Sequence, residues 1–282
     1  MQTISHTFPG GAEICAYLHE GDESMPASLR CEHAAVIIFP GGGYAITSPR
    51  EADPVALAFL SMGYQTFIVR YRTGEQAGGK RPLEDAARSI AWVRAHSAAW
   101  YIDPEKIAVL GFSAGGHLAA SLGVHWNDAE IAARLELSPN EARAALRPNA
   151  MVLCYPVITA SEHAHSDSIR RVSAHCKEDV SYWALEQHVT PDTPPAFLWH
   201  TMADPAVPAE NSLLMASALH RAGVPCEVHL FERGGHGMSV CTPEVNTPNA
   251  EAAEWVSLCR AWLCLHFGEP GGMGCRFSAQ QA

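Results

Sequence analysis

The chain has 282 residues, of which 48% are apolar and 17% charged, with a formal net charge of −11. That length carries one large domain or two small ones, with a full hydrophobic core. The acidic balance argues against nucleic acid and anionic membrane as partners, because both require a basic face.

Residues 1–6 show no basic stretch leading into an apolar one, so no secretory signal is expected, and no apolar run is long enough to span a bilayer. The nine cysteines are odd in number, scattered, and contain no Cys-x-x-Cys pair. They are expected to be reduced core thiols of a cytoplasmic protein; a mature secreted form is the alternative. Among fifteen histidines, His163-Ala164-His165 has metal-like spacing but lies in a polar stretch without a third ligand, so a solvated loop is expected there and no metal site.

In chain order, residues 12–18 are expected to form an extra edge strand. Continuous apolar runs follow at 36–39, 66–69, 107–110, 151–154, 196–199 and 228–231. Runs without alternation suit parallel strands covered on both faces. Helical spacing appears at about 51–62, at 83–99 after Pro82, after Ser113, at 209–222 and at 250–266. This alternation predicts an α/β fold with a mainly parallel sheet and right-handed crossovers. The stretches 126–148 and 159–194 break the rhythm and are expected as lids or pocket walls. The Gly-rich tail 268–282 is expected to be loosely held.

Residues 111–117 read Gly-Phe-Ser-Ala-Gly-Gly-His. A Gly-x-Ser-x-Gly spacing alone arises by chance in roughly a tenth of chains this long. Here it joins a strand-like run to a helix-like run, the setting of a nucleophile elbow. Small neighbours let the turn close, and the hydroxyl of Ser113 then stands at a helix N-terminus that favours developing negative charge. A serine nucleophile needs a base and an orienting acid. Asp204 follows the run 196–199 and His236 follows the run 228–231, in the order Ser, Asp, His. The oxyanion requires N–H donors, expected from Ala114 and from Gly42 or Gly43 in Pro40-Gly41-Gly42-Gly43-Tyr44. Such chemistry needs no metal or organic cofactor. Its partner is a small-molecule ester, and the oligomeric state is not legible.

With these residues the chain resembles the α/β-hydrolase superfamily. More narrowly, it resembles the bacterial esterase branch related to hormone-sensitive lipase and its acetyl-esterase and acetylxylan-esterase-like proteins. The resemblance rests on residues 40–44, 103–107 leading into 111–119, 154–158, 200–208 and 234–237. It implies a single α/β-hydrolase domain acting on short acyl groups, acetyl above all, on sugars or small alcohols. It also sets Tyr44 at the pocket, lining the acyl or alcohol side or serving as plain wall. His117 is expected to pack under the loop, and Tyr155 to end a strand beside the site without doing chemistry. Relatives usually carry His-Gly-Gly-Gly; Pro40 replaces that histidine, so no histidine side chain can hold the glycine loop. A prolyl-oligopeptidase-like peptidase shares the triad but needs a further large domain. A non-catalytic hydrolase-fold binding protein is the other alternative.

Overall fold

The structure, a computed structural model, describes residues 1–21 and 32–269. The chain runs β1 (Gln2–Thr7), β2 (Glu13–Leu18), β3 (His33–Phe39), α1 (Asp53–Ser61), β4 (Gln65–Arg70), α2 (Arg81–Ala95), β5 (Ile102–Phe112) and α3 (Ala114–His125). Two short helices follow, α4 (Ala129–Arg134) and α5 (Pro139–Leu146), and then β6 (Ala150–Cys154). The remainder is α6 (Ser166–Ser173), β7 (Ala196–Thr201), α7 (Glu210–Arg221), β8 (Cys226–Phe231), α8 (Ala250–Ala253) and α9 (Trp255–Phe267).

The eight strands among the described residues join one sheet in the order β1-β2-β4-β3-β5-β6-β7-β8. It is parallel from β4 through β8 and antiparallel at β2 and β1. The continuous apolar runs are explained by alternation within them. Ala35, Ile37 and Phe39 of β3 join Leu83, Ile90 and Val93 of α2 and Leu118 of α3 on one face. Val36 and Ile38 join Val55 and Phe59 of α1 and Trp255 and Trp262 of α9 on the other. Both faces of the strand are therefore dry, and each fully buried large side chain contributes about 1.5–3 kcal/mol.

Two expectations change. Residues 13–18 are not at the edge: β2 lies between β1 and β4, and β1 is the edge. β1 carries no strand signal in the sequence because Gln2-Thr3-Ile4-Ser5-His6-Thr7 is almost wholly exposed and has little apolar period; its pairing with β2 supplies the order. α2 ends at Ala95 rather than near 99, where residues 96–100 turn back and Trp100 packs on Phe67 at 5.6 Å.

The stretch 126–148 forms α4 and α5, which pack along α2. Lys80 at the start of α2 bonds Asp128 at 2.8 Å, and Arg94 bonds the Ala145 and Arg147 carbonyls at 2.6 and 3.0 Å. The stretch 159–194 carries α6 and two single turns. Of the tail, residues 270–282 lie outside the described residues, as do Cys31 and Cys275. The other seven cysteines are free thiols, and no helix among the described residues is long and apolar enough to cross a membrane.

Candidate active site

The carboxyl ends of the parallel strands bring four chain segments together, as open α/β sheets do where they bind ligands. Ser113 follows β5, Asp204 follows β7, His236 follows β8, and the glycine loop follows β3.

Ser113 sits at φ +53°, ψ −119°, a left-handed backbone that costs a non-glycine residue about 1–3 kcal/mol. The surroundings hold it there. Its N–H bonds the Cys154 carbonyl at 3.0 Å, and its own carbonyl accepts from Val157 and His117. Gly111 and Gly115 are required by space, since a Cβ at Gly115 would run into the Phe39 carbonyl and one at Gly111 into the Gly115 carbonyl.

From this turn the Ser113 hydroxyl lies 2.8 Å from His236 Nε2, and His236 Nδ1 lies 2.7 Å from Asp204 Oδ2. The carboxylate fixes the tautomer: Nδ1 carries the proton, and Nε2 accepts from the serine hydroxyl. Asp204 is side-chain buried, while His236 is partly open. Asp204 Oδ1 also accepts the Ala206 and Val207 N–H groups at 2.8 and 3.0 Å. Burial pushes the Asp204 carboxyl up. Donation from His200 and His236, with the Val207 N–H, outweighs it and holds the group well below the usual carboxylate range. His200 is fully buried; its Nε2 lies 3.0 Å from the Val207 carbonyl and 3.4 Å from Asp204 Oδ2, and Ser212 caps its Nδ1 at 2.8 Å.

The N–H groups of Gly42, Gly43 and Ala114 have no acceptor among the described residues. Gly42 and Gly43 adopt φ +129° and +63°, which only glycine takes without strain. The loop is held without a histidine at position 40. Tyr71 donates its hydroxyl to the Pro40 carbonyl at 2.6 Å, Glu51 Oε2 accepts the Gly41 N–H at 2.8 Å, and Arg171 donates to the Gly43 carbonyl at 3.2 Å.

A cavity of about 300 Å³ opens over Ser113 and His236 and is lined by Gly42, Gly43, Ser48, Arg50, Glu51 and His165 among others. Larger hollows of about 440 and 560 Å³ on other faces contain none of these groups. Tyr44 is a correction: its side chain is fully buried, its hydroxyl lies 2.9 Å from His117 Nδ1, and it does not reach the cavity. The residue is drawn inward because His117, itself anchored to the Trp183 carbonyl at 3.1 Å, offers the phenol a buried partner. His165 is the reverse case. Read as part of a solvated loop, it faces the cavity, with Nδ1 held by Ser168 at 2.8 Å. Glu51 and Tyr71 carry no sequence signal as site residues, because each acts through partners outside its own segment, while Tyr155 and His200 are legible only as members of the segments 154–158 and 200–208. Among the described residues no group of three His, Cys, Asp or Glu side chains could hold a metal ion.

Comparison with known proteins agrees with this architecture. The chain is 35% identical over 236 residues to endo-1,4-β-xylanase B of Butyrivibrio fibrisolvens, a stretch covering 82% of this chain and 35% of that protein. It is 30% identical over 250 residues to an acetylxylan esterase of Xylanibacter ruminicola, covering 85% of this chain and 46% of that protein. It thus spans less than half the length of either relative. The crystal structure of an acetyl ester-xyloside bifunctional hydrolase from Caldicellulosiruptor lactoaceticus superimposes with a TM-score of 0.77 at 37% identity, covering 90% of this chain and 88% of that one. The BD-FAE family model matches residues 22–219. On that match and that fold, the chain belongs to the BD-FAE family of α/β-hydrolases.

Proposed function

We propose that the protein is a serine carboxylesterase that removes short acyl groups, acetyl first, from sugars, oligosaccharides or small alcohols. One observation carries the reading: the unbroken chain of hydrogen bonds from Ser113 through His236 to Asp204, beside free N–H groups. Ser113 Oγ attacks the ester carbonyl while His236 Nε2 takes its proton. Asp204 keeps the imidazole in its working tautomer and stabilises the imidazolium. The N–H groups of Ala114 and of Gly42 or Gly43 receive the oxyanion. His236 then protonates the departing alcohol, and water, activated by the same imidazole, releases the acid. No cofactor enters these steps.

The small cavity supports a short acyl group, since about 300 Å³ is the lower end of ligand clefts. His165 and Ser48 on its wall offer hydrogen bonds to a sugar hydroxyl, and they are the polar wall that the stretch 159–194 and the glycine-loop turn would provide. Relatives named for acetylxylan and acetyl-ester hydrolysis support the same substrate class. The reading retains a single hydrolase domain and a cytoplasmic address; native protein recovered mainly from medium or periplasm would remove the second.

The test is hydrolysis of p-nitrophenyl esters from acetyl to octanoyl, with Ser113→Ala alongside. Acetyl should be fastest, and the variant should lose on the order of 10⁶ in turnover, about 8 kcal/mol of barrier. Near-normal turnover in Ser113→Ala would overturn the assignment. No hydrolysis and no fluorophosphonate labelling of the wild type would favour a binding protein on a hydrolase fold.

A further inference from the structure

Glu51 lies between the two loops that flank Ser113, and the steps above give it nothing to do. It is 3% exposed, where an uncompensated carboxylate is costly. Its Oε2 accepts the Gly41 N–H at 2.8 Å, and its Oε1 accepts the Tyr155 hydroxyl at 2.7 Å. That hydroxyl in turn accepts the Ser239 N–H at 2.8 Å. Ser239 is anchored further: Trp255 Nε1 donates to its carbonyl at 2.9 Å, and its hydroxyl donates to the Arg50 carbonyl at 2.5 Å.

One carboxylate therefore touches both sides of the nucleophile. Gly41 opens the glycine loop, and Ser239 closes the loop that carries His236. A Cβ built on Gly41 would come 2.7 Å from Glu51 Oε2 and 3.0 Å from Ser113 Cβ, and one on Gly237 would come 4.0 Å from Glu51 Oε1. The ring of Tyr155 meets the His236 imidazole edge to face, with centroids 5.2 Å apart.

Proton placement follows from the donors. The Tyr155 hydroxyl already accepts from Ser239, so its own proton points at Glu51. Both Glu51 oxygens thus accept from a donor, the Gly41 N–H and the Tyr155 hydroxyl, which is the arrangement of a carboxylate. Five groups face it: Arg50 from its own segment, Tyr71 after β4, Cys154 and Tyr155 at the end of β6, and His236 after β8. Burial pushes Tyr71, Tyr155 and Cys154 far up, so Arg50 and His236 are the charges it meets. Burial also pushes Glu51 itself up, opposed by Tyr155, the Gly41 N–H, His236 and Arg50.

We propose that Glu51 is a positioning residue: through Tyr155 it ties the glycine loop to the His236 loop, and its carboxylate stabilises the imidazolium formed when His236 takes the proton of Ser113. This inference rests on the esterase reading above, and it adds a second carboxylate to the one in Asp204.

The experiment measures kcat and KM for p-nitrophenyl acetate across a pH range spanning neutrality, for wild type, Glu51→Gln and Tyr155→Phe. Thermal melts and end-point fluorophosphonate labelling verify folding. Glu51→Gln should lower kcat about 10- to 100-fold with KM changed less than about threefold. The acid limb of its kcat/KM profile should move to lower pH by about half a unit or more, since the imidazolium loses a nearby anion. Tyr155→Phe keeps the carboxylate; it should lower kcat by about fivefold and leave the acid limb in place. A folded Glu51→Gln with kcat within about twofold of wild type, or with an unmoved acid limb, overturns the proposal. Where Glu51→Gln does not fold, an unchanged kcat in Tyr155→Phe overturns it. An inactive wild type defeats the esterase reading and this inference with it; an active, Ser113-dependent wild type with an unaffected Glu51→Gln defeats this inference alone.

Discussion

Two turns meet at the mouth of the cavity, and different forces hold them. The turn at Ser113 is held by backbone packed against backbone. Gly111 and Gly115 leave room for two backbone segments to touch, and the Cys154 and Val157 backbone pins the strained serine. The glycine loop at 40–44 is held by side chains. Tyr71 after β4 takes the Pro40 carbonyl, Glu51 takes the Gly41 N–H, and Arg171 of α6 reaches the Gly43 carbonyl. Steric rules of the backbone shape the first turn; side-chain hydrogen bonds shape the second. The first should fail by unfolding, the second by losing rate in an intact fold.

After Ser113 itself, the largest effect that leaves the fold intact belongs to Asp204, where backbone and side-chain donors converge. Asp204→Asn should cost about 10⁴ in kcat, because the amide no longer fixes the tautomer of His236. The melting temperature should change little by comparison. A variant retaining a tenth of wild-type kcat would mean that His236 is oriented by something else, and the four donors around Asp204 would lose their significance.

Gly115→Ala tests the first turn. Its Cβ would enter the space of the Phe39 carbonyl, and backbone at that place cannot step aside. We expect destabilisation of about 4 kcal/mol or more, a fall of roughly 10 °C in melting temperature. A variant that melts like wild type would show that the strand-to-helix turn has slack.

Tyr71→Phe is the matching test of the second turn. It leaves the buried Pro40 carbonyl without its donor, which costs about 1–3 kcal/mol. Because Gly42 and Gly43 lie in the same loop, kcat should fall about tenfold with the fold retained. Equal damage to stability and none to kcat would erase the distinction between the two turns.

The same division sets what the sequence discloses. Gly111, Ser113 and Gly115 are legible because the motif itself lies within five residues, where a one-dimensional pattern can record it, although the Phe39, Cys154 and Val157 backbone that constrains it comes from elsewhere in the chain. Asp204 and His236 are legible because each follows a recognisable strand, and the strand order is a rule of topology. The parallel sheet is legible because strands buried on both faces must be apolar throughout. Tyr71, Glu51 and Tyr155 are single polar residues whose meaning is a partner up to 104 positions away, as in the Tyr155 to Glu51 bond. Tyr44 follows the same logic: the resemblance sets it at the pocket, while a buried histidine 73 positions on draws its side chain away. β1 is not legible because an exposed edge strand needs no apolar residues at all.

The smallest effect separates the two carboxylates of the site, Asp204 and Glu51. Asp204 sits among four donors and is held low, whereas burial outweighs the donors of Glu51 and holds it high. For Asp204 the unfolded chain binds the proton more readily. Its contribution to stability is present above the unfolded value of about 3.9 and is lost as pH falls toward its folded value. For Glu51 the native state binds the proton more readily. Its contribution is present below about 4.3 and is lost as pH rises through its raised folded value. Each slope is bounded by one proton, about 1.4 kcal/mol per pH unit. Denaturant unfolding across the acid range should therefore show Asp204→Asn losing part of the acid-side fall in stability. Glu51→Gln should lose part of a decline that runs in the opposite direction, toward neutral pH. Slopes displaced in the same sense by both variants would mean that the two carboxylates share one environment, and the contrast between an acid whose donors outweigh burial and one whose burial outweighs its donors would fail.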